Sequence, residues 1–325
     1  MGELKQTKGY AQLRGIVGGL ERVKEAITNG KEVNQYLEND KIKKLQFSIK
    51  TSENNMIYVE LKQFKTGNSL KNVYISKKDE ETGKFETRPI SFNERHRNFE
   101  DGWRIIGVSL KSNNDEHSKN FVPYDAIDYI LENFNDGDSV FVNTEMSHSA
   151  GKDGKIYTNY EVKKMFVTHE PIDFKSSEFE EFCDFEETII FDTSYPSEDG
   201  VIIQAYTVDY TLSPKPVEFL VKDKDKEVAD FMSKELKTGD LLKVIGIVNN
   251  RAVYRFEKIE SDSSDGSNIL GRKTKREEQK TQPRYEKYID FEEKNLQIIG
   301  LDVDTIKKGQ YSQSDFEDDD SDVPF

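Results

Sequence analysis

The sequence predicts a mainly β chain: two small five-stranded barrels followed by a disordered acidic tail. Three observations predict it. Strand-like alternation dominates residues 9–169, one order of elements occurs twice, and residues 309–325 hold six Asp or Glu with no Lys or Arg.

The elements follow in order. A strand is expected around residues 12–17, then a helix-prone stretch near 20–27. Leu45, Phe47 and Ile49 alternate with polar neighbours, as do Ile57, Val59 and Leu61, and Asn54-Asn55 between them suits a hairpin turn. Val73 and Ile75 mark another strand, and Ile106, Val108 and Leu110 one more, with the apolar residues taken as core. Over residues 124–134, Ala126, Ile127, Ile130 and Leu131 share one helical face. Gly137-Asp138 stops this helix, and strands are expected near 140–142 and 157–167. The second half is shorter. Residues 188–191, 201–210 and 217–221 are strand-like, 227–236 is helical, and Gly239-Asp240 leads into 241–245. Asn249-Asn250 reads as a turn before a closing strand at 252–259.

Both halves thus share a helix, a Gly-Asp stop, a β-branched strand and a closing strand, with the helix between the third and fourth strands. In that order both resemble the OB-fold, a five-stranded Greek-key barrel. The expected organisation is a barrel at 1–172, a smaller one at 173–260, a flexible tether at 261–308 and the acidic tail at 309–325. The tether has linker composition, a basic cluster at 272–276, and an apolar island of Tyr288, Phe291, Leu296, Ile298, Ile299 and Leu301, which suits either a docking motif for a partner or the protein's own body, or part of a disordered spacer.

Composition narrows the function. The net charge is −15, and removing the −6 of the tail still leaves −9. That argues against coating of duplex DNA by bulk electrostatics, though a local basic groove with aromatic stacking suits a single strand. The single cysteine, Cys183, allows no intramolecular disulfide or cysteine zinc cluster and fits the cytoplasm. No apolar run is long enough to span a bilayer. Four scattered histidines, no nucleophile elbow and no complete phosphate loop argue against an enzyme, a metal or another cofactor.

The tail sharpens this reading. Asp318, Asp319, Asp320, Asp322, Val323, Pro324 and Phe325 put an apolar tip behind a run of carboxylates, suited to a small apolar pocket with a basic rim. The ending Asp320-Ser321-Asp322-Val323-Pro324-Phe325 resembles the Asp-Asp-Asp-Ile-Pro-Phe tip of bacterial single-stranded-DNA-binding proteins. The resemblance implies a divergent, phage-like member that coats single-stranded DNA in replication, recombination or repair and recruits enzymes through its tip. An adaptor that uses the tip without holding DNA, and an RNA-binding barrel, remain open. Both a monomer and a homodimer are allowed.

Strand alternation selects the DNA-binding candidates. Lys44, Lys50, Tyr58, Lys62, Phe64 and Tyr74 are expected outside the first barrel, with Trp103 at its rim. Arg88, Phe92, Arg95 and Arg97 come from the long polar excursion before Trp103. Lys152, Lys155 and Tyr157 come from the last hairpin. Aromatic rings stack on bases and cations meet phosphates, the two contacts a sequence-tolerant strand binder needs.

Overall fold

The computed structural model describes residues 4–65, 70–99, 102–151, 154–259 and 284–316, with the backbone alone over 254–259 and 284–291. The protein is mainly β. The chain runs β1 (Gly9–Gly18), α1 (Leu20–Thr28), β2 (Tyr36–Glu38), β3 (Ile42–Lys50), β4 (Met56–Phe64), β5 (Asn72–Lys78), β6 (Phe85–Ser91), β7 (Arg104–Ile105), β8 (Val108–Lys111) and β9 (Lys119–Phe121). It continues through α2 (Pro123–Asn133), β10 (Ser139–Ala150), β11 (Ile156–Val167), β12 (Phe182–Ser197), β13 (Gly200–Val208), β14 (Pro214–Lys222), α3 (Lys226–Glu235), β15 (Leu241–Ile259) and β16 (Arg284–Lys307).

Strand pairing forms two rings. In the first, β1 pairs with β3, β3 with β4, β4 with β11, β11 with β10, and β10 returns to β1. In the second, the corresponding cycle is β12, β13, β14, β16, β15 and back to β12. Each ring closes through one parallel contact. Glu60 faces Glu161 between β4 and β11, and Leu220 faces Gln297 between β14 and β16. Each ring also has its helix between the third and fourth strands, α2 in the first and α3 in the second.

The Gly-Asp stops are equivalent turns. Gly137 and Gly239 adopt positive φ, 96° and 89°, where a side chain would be strained. The N–H of Gly137 donates to the Val17 carbonyl, and Val17 N–H donates to the Asp138 carbonyl. Gly239 and Asp240 make the same exchange with Phe191. Each turn thereby ties its helix to the first strand of its own ring.

Three readings need correction. Asn249-Asn250 makes no turn, because β15 runs straight through it. Asn250 N–H donates to Asn55 Oδ1 at 2.8 Å, and Asn249 Nδ2 donates to Asn295 Oδ1 at 2.9 Å, so both residues bind neighbouring elements. The closing strand of the second ring is β16, from the segment read as tether; there Leu296 and Ile298 are buried. Ile106, read as core, is 49% exposed, because the chain bends between β7 and β8 as it leaves one sheet for another.

The rings are fused by β1, which pairs with β12 from Gly9↔Glu187 to Arg14↔Phe182. One apolar cluster passes through both, from Leu13, Phe47 and Ile127 to Phe185, Phe219 and Val244. Over the fusion, His148 Nε2 of β10 lies 2.9 Å from Glu187 Oε1 of β12, and both side chains are buried. They meet across Gly9. A Cβ there would lie 2.7 Å from Glu187 Oε1 and 3.1 Å from Met146 Cβ. Gly9→Val should therefore destabilise the chain by about 1–3 kcal/mol through overpacking. Its urea midpoint should fall, and an unchanged midpoint would refute the tight packing at Gly9.

Candidate nucleic-acid interface

The outer face of the first ring follows from strand parity. On β3 and β4, Leu45, Phe47, Ile49, Ile57, Val59 and Leu61 are buried, so the intervening residues turn away from the core. Lys44 sits opposite Lys62, Gln46 opposite Glu60, and Ser48 opposite Tyr58. Tyr58 and Phe64 are 51% and 54% exposed. The lysines are already engaged. Lys44 and Lys62 each lie 2.8 Å from Glu60. Burial works to raise the Glu60 carboxyl, but hydrogen bonds from Lys44 and Lys62 prevail and hold it below its ordinary range. Lys50 lies over the Phe174 ring at 5.6 Å.

Tyr58, Lys155 and Tyr157 come together in a groove of about 1410 Å³ between the rings, with Tyr206, Gln204 and Glu218 on the opposite wall. Its charged lining is Lys155 and Lys294 against Glu60, Asp192, Glu218 and Glu292. The groove is thus an aromatic-lined surface with little positive field. Lys152 lies outside the described residues.

The polar excursion is an ordered unit. Strands β5, β6 and β7 make a separate three-stranded sheet. Tyr74 is 54% exposed on β5, and the Arg88 guanidinium covers the Trp103 ring at 4.2 Å. These residues belong to a different sheet from the Tyr58–Tyr157 groove. Phe92 and Arg95 dock the unit onto α2. Arg95 Nε and Nη2 reach Asp125 at 2.7 and 3.1 Å, Phe92 stacks beneath that guanidinium at 3.8 Å, and Phe92 meets Tyr124 edge-on at 6.0 Å. Ser91 and Glu94 form a capping box around the short turn carrying Phe92.

Arg95 and Arg97 border a second recess, a cleft of about 890 Å³ between this unit and β8–β9. Arg104, Lys111 and Lys119 join them there. Sequence reasoning passed over these three because the cleft gathers residues from separate turns and short strands. The one available signal was parity, since Lys111 follows the buried Leu110. Asp115 beside the cleft is held below the ordinary carboxylate range. Burial opposes this shift, and hydrogen bonds from Lys119, Tyr129 and Ser112 outweigh it.

Contrary to the expectation of disorder from residue 309, the base of the tail is ordered through Phe316 and seated on the second ring. Phe316 stacks on Tyr206 at 4.7 Å and meets Tyr311 edge-on at 6.1 Å. Asp240 accepts from Gly309 N–H at 2.7 Å and pairs with Lys308 at 3.1 Å. Burial would raise the Asp240 carboxyl, but the Gly309 and Lys237 amides and Lys308 hold it low. The tip residues Asp318, Asp319, Asp320, Asp322, Val323, Pro324 and Phe325 lie outside the described residues.

Asp125→Ala should weaken docking of the three-stranded unit by about 1.5–3 kcal/mol, the loss of charged hydrogen bonds to Arg95. Trypsin should then cut after Arg95 and Arg97 sooner than it does in the unaltered chain. Unchanged cleavage there would show that the ion pair does not hold the unit.

Among solved structures, the chain is similar to a deletion mutant of the single-stranded DNA binding protein from Thermus aquaticus, at 12% identity. The match covers 75% of this chain and 88% of that one, with a TM-score of 0.35, too low to carry an argument. No curated protein matches. The model of the YorF family matches residues 111–322, which run from the end of β8 through α2, α3 and the second ring to the tail. The chain belongs to the YorF family.

Proposed function

We propose that the protein binds single-stranded DNA, with each ring an OB-fold and the first ring supplying the main binding face. One observation carries the reading. Tyr58, on the second-to-third-strand face of the first ring, and Lys155 and Tyr157, at its fourth-to-fifth-strand hairpin, line a single groove. OB barrels take oligonucleotides on that face and through that connection. Bases would stack on Tyr58 and Tyr157, and no covalent chemistry is involved. The second ring would serve mainly as the opposite wall and as the seat of the tail.

The tail supports the second half of the proposal. Its Asp-rich run and Val323-Pro324-Phe325 ending would recruit replication, recombination or repair enzymes to coated DNA, with closely spaced copies raising their effective concentration.

The test is affinity for an unstructured DNA oligonucleotide at two salt concentrations, using the full chain, Tyr58→Ala with Tyr157→Ala, and a chain lacking 317–325. The full chain should bind, and more weakly at higher salt. The double variant should lose about 1–3 kcal/mol per stacked base. Removing the tail should leave or tighten binding. No detectable binding by the full chain or the tailless chain would overturn the reading and favour an adaptor. Tighter binding to RNA of the same sequence would reassign the substrate.

A further inference from the structure

The groove and the cleft differ in charge. The groove that holds Tyr58 and Tyr157 has four carboxylates against two lysines. The cleft beside β8–β9 has Arg95, Arg97, Arg104, Lys111 and Lys119 against Glu116 and Asp125. In a chain of net charge −15, such a concentration of cations is not the by-product of a basic surface.

The cations divide further. Arg95 is held by Asp125 and Lys119 by Asp115, so both belong to the walls. Arg97 is 64% exposed and reaches only Glu94, at 3.4 Å, among the described residues. Arg104 is exposed and Lys111 half-buried, and neither has an ion partner among the described residues. Phe166 lies beside Lys111 in the β8–β11 register and gives the cleft an apolar side. The cleft is not an extension of the groove. Strand β11 carries Tyr157 at the groove and Phe166 at the cleft, and nine residues of strand separate them by about 30 Å.

We propose that this cleft is the phosphate anchor for a single-stranded nucleic acid, with Arg97, Arg104 and Lys111 as its phosphate contacts. The inference rests on the nucleic-acid reading above and adds a division of labour to it. The groove contributes stacking with little salt dependence, and the cleft, six residues along β11 beyond the groove's Tyr160, contributes most of the electrostatic affinity. A bound strand would pass from one to the other along the face of β11.

The two contributions separate in a salt titration of oligonucleotide binding. Each phosphate contact on a single strand contributes about 0.7 to the slope of log affinity against log salt, so Arg97→Gln, Arg104→Gln and Lys111→Gln together should flatten it by about 2. Tyr58→Ala with Tyr157→Ala should lower affinity and leave the slope unchanged. Arg97→Lys with Arg104→Lys should keep the steep slope, and the urea midpoint of each variant verifies the fold. If the unaltered chain binds no strand, the nucleic-acid reading falls. If it binds and the triple variant keeps its slope and affinity, the cleft assignment falls alone.

Discussion

The β1–β12 ladder is the constraint on which the rest of the molecule depends. It turns two rings into one sheet, and it works only because β1 is narrow at Gly9. There His148 and Glu187, from the strands on either side, reach over the intervening backbone and pair away from water. Taking polar groups out of water is costly unless they are hydrogen-bonded. The pair therefore favours the one register in which its two members face each other. A slip of one residue would turn alternate side chains to the wrong face and put Glu187 outside.

A second polar cluster finishes the fusion at the far end of the rings. Buried Asn55 donates to Glu181 and the Val248 carbonyl and accepts from Asn250, while Arg251 reaches Glu181 at 2.6 Å. These contacts bind the β3–β4 turn of the first ring to β15 of the second. With the ladder, they set the spacing between the rings and so the width of the groove. The recess that gathers Tyr58, Tyr157 and Tyr206 is a product of how the rings are joined, and neither ring contains it alone.

What the sequence shows depends on how local the cause is. Parity along β3 and β4 is local, and it identified the outward residues from Lys44 to Phe64. The Gly-Asp stops are local too, since positive φ at Gly137 and Gly239 marks each end of a helix. The partnerships of the outward lysines were not legible, because Glu60 serves Lys44 from the adjacent strand. The fifth strand of the second ring was missed for a related reason. Residues 284–307 carry charges at many positions, and the apolar residues that mark β16 become a strand pattern only beside β15. Asn249-Asn250 misled because the pair also favours turns, and its contacts to Asn55 and Asn295 are remote in sequence.

The two parallel closures, Glu60 with Glu161 and Leu220 with Gln297, have a mechanical consequence. Each ring is laced by long antiparallel ladders and latched by a single bridging pair. Glu60 and Leu220 both line the groove, so the two latches face each other across it. Opening either slot would break one bridging pair and leave the long ladders intact, so each ring is a split collar whose slit is its weakest seam.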